Sequence, residues 1–296
     1  MIKMNGRIAS ALVIAAGSFW GVMGLFVRVL SDIGFSMFQI TALRLVIGTI
    51  MLCVLVFLYD RRLYKIEIKD LPIFIGMGVL SVLMMSWFYF AAILRISLSA
   101  AAILLYTAPI WVLTASVIFY GERLTVKKTA ALICAFGGCI CVSGLSVSNM
   151  SISGILCGLG AGFSYSLYSI IGKYALKKYQ PLTVTVYSFI AAGIGSVFLA
   201  DIPETINIIA GNFDTSMFFY IIGIGFITVV VPYLCYTMGL KYISAGKAAI
   251  MASVEPMVAT ISGIFVYGEM PNVIGFAGIL LIILSIILLN INQKEI

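Results

Sequence analysis

The chain has 296 residues, 62% of them hydrophobic and 10% charged, with a net charge of +7 and no histidine. A water-soluble domain is nearer half apolar and a quarter charged, so the composition excludes a soluble globule and indicates an all-α polytopic membrane protein. The absent histidine excludes His-based triads, HExxH zinc sites and histidine proton shuttles, and no GxxxxGK[ST] loop is present to bind ATP.

Runs long enough to cross a bilayer are predicted at Ile8–Leu30, Phe35–Leu58, Leu71–Ile93, Leu98–Phe119, Lys127–Val147, Ile152–Ala175, Leu182–Ala200, Met217–Leu240, Ala245–Tyr267 and Asn272–Ile291. The first follows MIKMNGR and is too long for the apolar core of a signal peptide, so it reads as a span. The short alternating segments of an outer-membrane barrel do not occur. The connections are short, and even DRRLYKIEIKD and DIPETINIIAGNFDTS are not expected to form an extramembrane domain.

With the N-terminus placed in the cytoplasm, fifteen of the 18 lysines and arginines fall at cytoplasmic ends, the exceptions being Arg28, Arg44 and Arg95. The outer connection from Asp201 to Ser216 then carries three carboxylates and no cation. This is the positive-inside pattern, with both termini cytoplasmic in a multi-pass cell membrane protein. It accounts for the basic balance without nucleic acid as a partner. Cys53, Cys134, Cys139, Cys141, Cys157 and Cys235 lie in apolar runs with no zinc spacing. They read as small buried hydrophobes. No metal or cofactor is expected.

The chain repeats itself. AAILLYTAPIWVLTASVIFYGE from Ala101 aligns with AAIMASVEPMVATISGIFVYGE from Ala248, a shift of 147 residues that sets Pro109 against Pro256. GSFWGVMGLFVR from Gly17 aligns with GFSYSLYSIIGK from Gly162 at a shift of 145, opposing Trp20 to Tyr165 and Arg28 to Lys173. Residues 1–147 and 152–296 thus form two five-helix units. Five is odd, so the second enters the membrane inverted. Inverted repeats of this kind build many transporters, with the substrate site near the midplane between the repeats.

The words ALRLVIGTIMLCVL with Arg44, APIWVLTASVIFYGERLT with Pro109 and Glu122, and VEPMVATISGIFVYGEMP with Glu255, Pro256 and Glu269 resemble the EamA domains of the drug/metabolite transporter superfamily. The likeness recurs once per half and covers nearly the whole chain. It implies ten transmembrane helices as two inverted five-helix repeats, an inner-membrane location, and movement of small metabolites such as amino acids by alternating access. It does not carry a substrate. The expected activity is secondary transport, export of amino acids or related compounds with proton coupling as an option, or else drug and cation efflux or metabolite uptake. An enzyme is not expected, since no aspartate lies inside a span and histidine is missing. Expected partners are a small-molecule substrate, the bilayer and possible protons, with a homodimer open.

The candidate site centres on Glu255, about ten residues into its span. An ionised acid at that depth costs about 3 kcal/mol. Three roles are open to it: a coupling proton carrier, a partner for a substrate amino group, or a structural acid neutral or paired with Arg44. Its counterpart in the first half is Ala108. On a continuous helix Ala248, Ala252, Glu255, Ala259 and Ser262 share one face, and Pro256 frees a carbonyl near Ala252. Gly17, Gly21 and Gly24 form a second small-residue stripe ending at Arg28, which reads as packing. Trp20, Tyr165 and Tyr168 lie too deep for interfacial anchors and either line a cavity or fill a core. Trp87, Tyr89, Tyr106, Trp111, Tyr233 and Tyr236 are further aromatic candidates for stacking or cation–π contact. Glu122 and Glu269 close the matched YGE words, as helix-end structure or as gating partners of cations, for Glu122 one of Arg123, Lys127 or Lys128.

Overall fold

A computed structural model describes residues 4–144 and 151–291. Lys3, Lys294 and the junction between the predicted halves lie outside these residues. Nine helical runs among the described residues are long and apolar enough to cross a membrane, and a bent pair completes a tenth. The fold is all-α, with ten spans in two inverted five-helix repeats.

The bent pair corrects the predicted seventh span and the loop after it. The helix Pro181–Val197 stops short, and a second helix, Ile202–Asn212, leaves it at 91°. Seventeen residues rise only about 26 Å, less than the roughly 30 Å of hydrocarbon. The second helix starts where Asp201 caps it, its carboxylate accepting from the Glu204 N–H at 3.1 Å, with Pro203 in the first turn. These are ordinary start signals within a stretch read as loop.

Breaks and rewindings recur in both halves. The fourth span is split into Leu98–Leu105 and Ala108–Tyr120, and the ninth into Ala245–Ala252 and Val254–Tyr267. In each, a proline just past the break (Pro109, Pro256) lacks the N–H that a continuous helix would use. Both second pieces end in a left-handed glycine, Gly121 at φ 62° and Gly268 at φ 68°. The third span contains a π-helical stretch at Gly76–Leu83 and the eighth one at Phe226–Val230. Such wide turns often mark functional sites. The first span also breaks, between Gly6–Gly21 and Met23–Ile33, whereas its counterpart Ile152–Ala175 is continuous.

Packing runs between the halves. The first span lies on the eighth and ninth, and the sixth correspondingly lies on the third and fourth. The second packs on the seventh and the fifth on the tenth. Glycines set the closest approaches. A Cβ on Gly17 would sit 2.8 Å from the Ala252 carbonyl, and one on Gly162 would sit 2.6 Å from the Leu104 carbonyl. Each leading span thus presses a bare backbone onto the break of the other half's split helix.

Candidate functional site

Glu255 lies in the first turn of the helix Val254–Tyr267, directly after the break at Ser253. Unpaired N–H groups and the helix dipole favour negative charge there. The break therefore explains how a mid-span carboxylate is accommodated. It also corrects the single-face reading of Ala248 to Ser262, which assumed an unbroken helix. Ala252 and Glu255 flank a small recess, Ala259 and Glu255 face a larger cavity, and Ala248 is buried in the core.

The larger cavity, about 370 Å³, is walled by Trp20, Arg44, Tyr89, Tyr106, Tyr165 and Glu255. That volume falls at the lower end of small-molecule pockets, about 300–1,000 Å³. Met37, Ile93 and Leu98, at span ends, also line it, so it extends from Glu255 towards the face carrying connections 34–36 and 94–97. Gly21 and Gly24 complete one wall, and nothing would meet a Cβ on Gly24. On the other side of Glu255 the space shrinks to about 20 Å³ beside Pro109, Ser169, Tyr236 and Ala249. One carboxylate, with Tyr106 and Tyr165, separates an open side from a packed one.

The Tyr165 hydroxyl donates to the Glu255 carboxylate at 3.2 Å. Trp20 stands against Tyr165, Tyr233 and Tyr236 with ring centroids 6.1, 5.0 and 5.4 Å away. Tyr233 and Tyr236 are fixed from behind. Tyr233 abuts Phe189 at 4.5 Å, and Tyr236 shares a 2.6 Å hydrogen bond with Ser169. Arg44 is buried, yet the pairing with Glu255 that was one of the open roles is not made. Its guanidinium donates to the Met23 thioether at 2.9 Å, and no carboxylate among the described residues lies within ion-pair reach. Arg44 hangs from the second span and Glu255 from the ninth, with the cavity between them.

Other predicted residues fall elsewhere. Tyr168 is in the core, sharing a 3.0 Å hydrogen bond with Thr237. Trp87 is 43% exposed and contacts Phe88, away from the cavity. Trp111 donates to Thr107 at 3.2 Å beside the first-half break. Pro256 is buried behind Glu255, and Gly17 lies against Ala252 rather than the cavity. The sequence reading did not pick out Met23, Met37 and Met85, which line the cavity. Methionine is common in apolar runs, and only the Met23–Arg44 contact singles one out.

The packed side is held by bonds within each half and by one between them, from the Ala245 N–H to Glu122. Glu122, its side chain 10% exposed, pairs with Lys128 at 3.0 Å and accepts from the Ala245 N–H at 3.0 Å. Lys173 donates to the Leu240 and Ile243 carbonyls at 2.8 and 2.6 Å. On the opposite face the counterpart Glu269 pairs with Arg28 at 2.7 Å, with side chains 58% and 50% exposed, and Arg28 covers the Tyr267 ring.

The EamA-like transporter family matches twice, over residues 7–144 and 152–291. A transporter of Archaeoglobus fulgidus is 31% identical over 264 residues, 89% of each chain. The transporter YwfM of Bacillus subtilis is 25% identical over 99% of this chain and 97% of its own. The threonine/homoserine exporter RhtA of Salmonella typhimurium is 26% identical over 78% of this chain and 74% of its own. A crystal structure with 16% identity superposes at a TM-score of 0.79, covering 95% of this chain and 96% of the other, and shares the fold. Two half-length matches, one per five-helix unit, place the chain in the EamA-like transporter family.

Proposed function

We propose that the protein is a secondary carrier of the cytoplasmic membrane, with both termini cytoplasmic, that exports amino acids or related compounds by alternating access. The observation that carries this reading is the one-sided cavity. It ends at a mid-membrane carboxylate whose other side is packed and latched by Glu122. A carrier must be open to one face and shut to the other. Helices broken at matched positions in inverted repeats supply elements able to exchange these roles. The cytoplasmic assignment rests on the cations Arg61, Arg62, Lys65, Lys127, Lys177 and Lys178 at the latched face. The resulting state is outward-facing. The name of the Salmonella relative supports amino-acid export.

Glu255 is the coupling group in this reading. It is the one carboxylate in the cavity wall, and a single tyrosine donor leaves lone pairs for a proton or a substrate ammonium. Efflux of organic cations is the second reading. It is favoured by the aromatic wall of Trp20, Tyr165 and Tyr233, which suits cation–π contact.

The test is counterflow in proteoliposomes with wild type and Glu255→Gln, a panel of amino acids and organic cations, with and without an imposed proton gradient. The expected result is exchange in the wild type that a proton gradient accelerates, and loss of that acceleration in the Gln variant. Loss of exchange itself in a folded variant would assign Glu255 to substrate binding. A variant that behaves as wild type in both arms would remove Glu255 from the site, and a wild type that moves no solute would sink the carrier reading.

A further inference from the structure

Arg44 presents a problem that the coupling role of Glu255 does not solve. Its residue is 6% exposed, and its hydrogen-bond acceptor is one thioether sulfur. A guanidinium has five N–H donors, and a thioether is a weak acceptor. A buried charge is ordinarily paired, because leaving it unpaired is costly. Among the described residues no carboxylate, Glu255 included, stands within ion-pair distance of it. Both groups face the same cavity. A second donor in that wall is also unspent: the Trp20 indole N–H is buried with no acceptor. Two unsatisfied donors and an under-satisfied carboxylate therefore border one space, the rest of whose wall combines the apolar Met37, Ile40, Met85, Phe90 and Leu98 with the hydroxyl-bearing Thr41, Ser86, Tyr89 and Tyr106.

We propose that Arg44 is the carboxylate-recognising residue of this cavity, and that the substrate is a zwitterionic α-amino acid with an apolar side chain. The inference rests on the carrier reading and narrows it. The substrate carboxylate takes the guanidinium fork, a planar match for two N–H···O bonds. Its ammonium lies towards Glu255, and its side chain lies among the methionines. Filling the gap neutralises both wall charges together, which neither a simple cation nor a simple anion would do. The methionine-rich wall accommodates side chains of differing shape, since methionine repacks readily. Selectivity then resides in the zwitterion rather than in the side chain.

The experiment measures binding to the full-length protein in nanodiscs. The probes are phenylalanine, leucine and methionine, each beside its α-amide and its decarboxylated amine, with counterflow of the same nine compounds in proteoliposomes. At least one free amino acid is expected to bind wild type about tenfold or more tightly than its amide, the scale of a lost charge-assisted hydrogen bond. Arg44→Gln is expected to erase that preference, and Arg44→Lys, which keeps the charge but not the fork, to retain part of it. The wild-type comparison of acid with amide needs no variant, so a Gln protein that does not fold leaves the test intact. Amides that bind as well as the acids, no binding by any of the three acids, or a folded Arg44→Gln that still prefers acid to amide would each overturn the proposal. Should the amines alone be carried, the carrier reading stands and this inference falls. Should no compound of this set or of the wider panel exchange, both fall.

Discussion

The two halves of the molecule share a plan and differ at its centre. Both split their fourth helix at a matched point and brace the split with a glycine from the other half. Only the second half places a carboxylate there, where the first has Ala108. Their latches differ as well. Glu122 is largely covered and bound to a main-chain N–H across the halves, whereas Glu269 holds an exposed arginine. Symmetry thus belongs to the backbone, and the asymmetry to the side chains. In the proposed carrier the first would let both states form and the second would decide what is carried. The structure has the Glu122 side packed.

The sharpest attack on the shared plan is to fill its two glycine contacts. Gly17→Leu and Gly162→Leu should each destabilise the protein by up to about 3 kcal/mol, since overpacking a tight contact typically costs about 1–3 kcal/mol. Unfolding midpoints in detergent check this. If one variant is severe and the other silent, the halves do not brace each other alike.

Glu122→Gln and Glu269→Gln test the difference in the latches. The first leaves Lys128 without its counter-charge in a half-closed site and should cost about 1–2 kcal/mol, in the range for an under-satisfied buried polar group. The second breaks an exposed pair and should cost less than about 1 kcal/mol. Conformation should shift in opposite senses. In a background without native cysteines, maleimide labelling of Ala249→Cys should rise with Glu122→Gln, while that of Val27→Cys falls. Equal labelling in both variants would mean that neither glutamate is a latch.

The smallest effect concerns a clasp between two connections that has no counterpart among the described residues of the other face. Lys178 joins Glu67 at 2.5 Å and Asp70 at 2.6 Å, tying the second–third connection to the sixth–seventh. The hydrogen bond from Lys178, then that from Lys69, holds Glu67 below the usual carboxylate range. Its hydrogen bonds to the Asp70 and Glu67 carboxylates hold Lys178 above the usual lysine value. A depressed carboxylate stabilises above its unfolded value and loses that stability as pH falls through the folded one. A raised lysine stabilises below its unfolded value and loses it as pH rises through the folded one. The unfolding difference between wild type and Lys178→Ala should therefore be small and flat near neutrality, and vanish in strong acid. A difference unchanged in acid would mean that the clasp does not act through charge.

Much of this was legible in the chain. Hydropathy located nine spans closely, because a bilayer imposes length and polarity on every crossing. The 147-residue repeat exposed the two halves and matched Pro109 to Pro256, but the breaks beside these prolines fall inside runs predicted as continuous helix. Two things were hidden. The helix Ile202–Asn212 carried start signals at Asp201 and Pro203, but eleven residues turned 91° from the preceding helix make no separate run long enough to register as a span. The separation of Arg44 from Glu255 was hidden more deeply. Depth along a span can be counted in residues, whereas lateral distance depends on which helices neighbour each other. That is why an ion pair plausible by depth proved to be two walls of a cavity, and why Trp87 fell outside it while Met23 fell inside.

The interleaving of the halves also governs how the protein is made. The first span finds its neighbours in the eighth and ninth, and the second in the seventh. When the first five spans have left the ribosome, Gly17, Gly21 and Gly48 have no partners, since the residues they pack against, Ala252, Glu255 and Val229, are not yet synthesised. Early spans therefore wait in lipid as inserted but undocked helices, and long-range contacts close the fold late. Docking of the first span on the eighth and ninth, and of the fifth on the tenth, awaits the last third of the chain, so a truncation there should undock spans of both halves rather than of one.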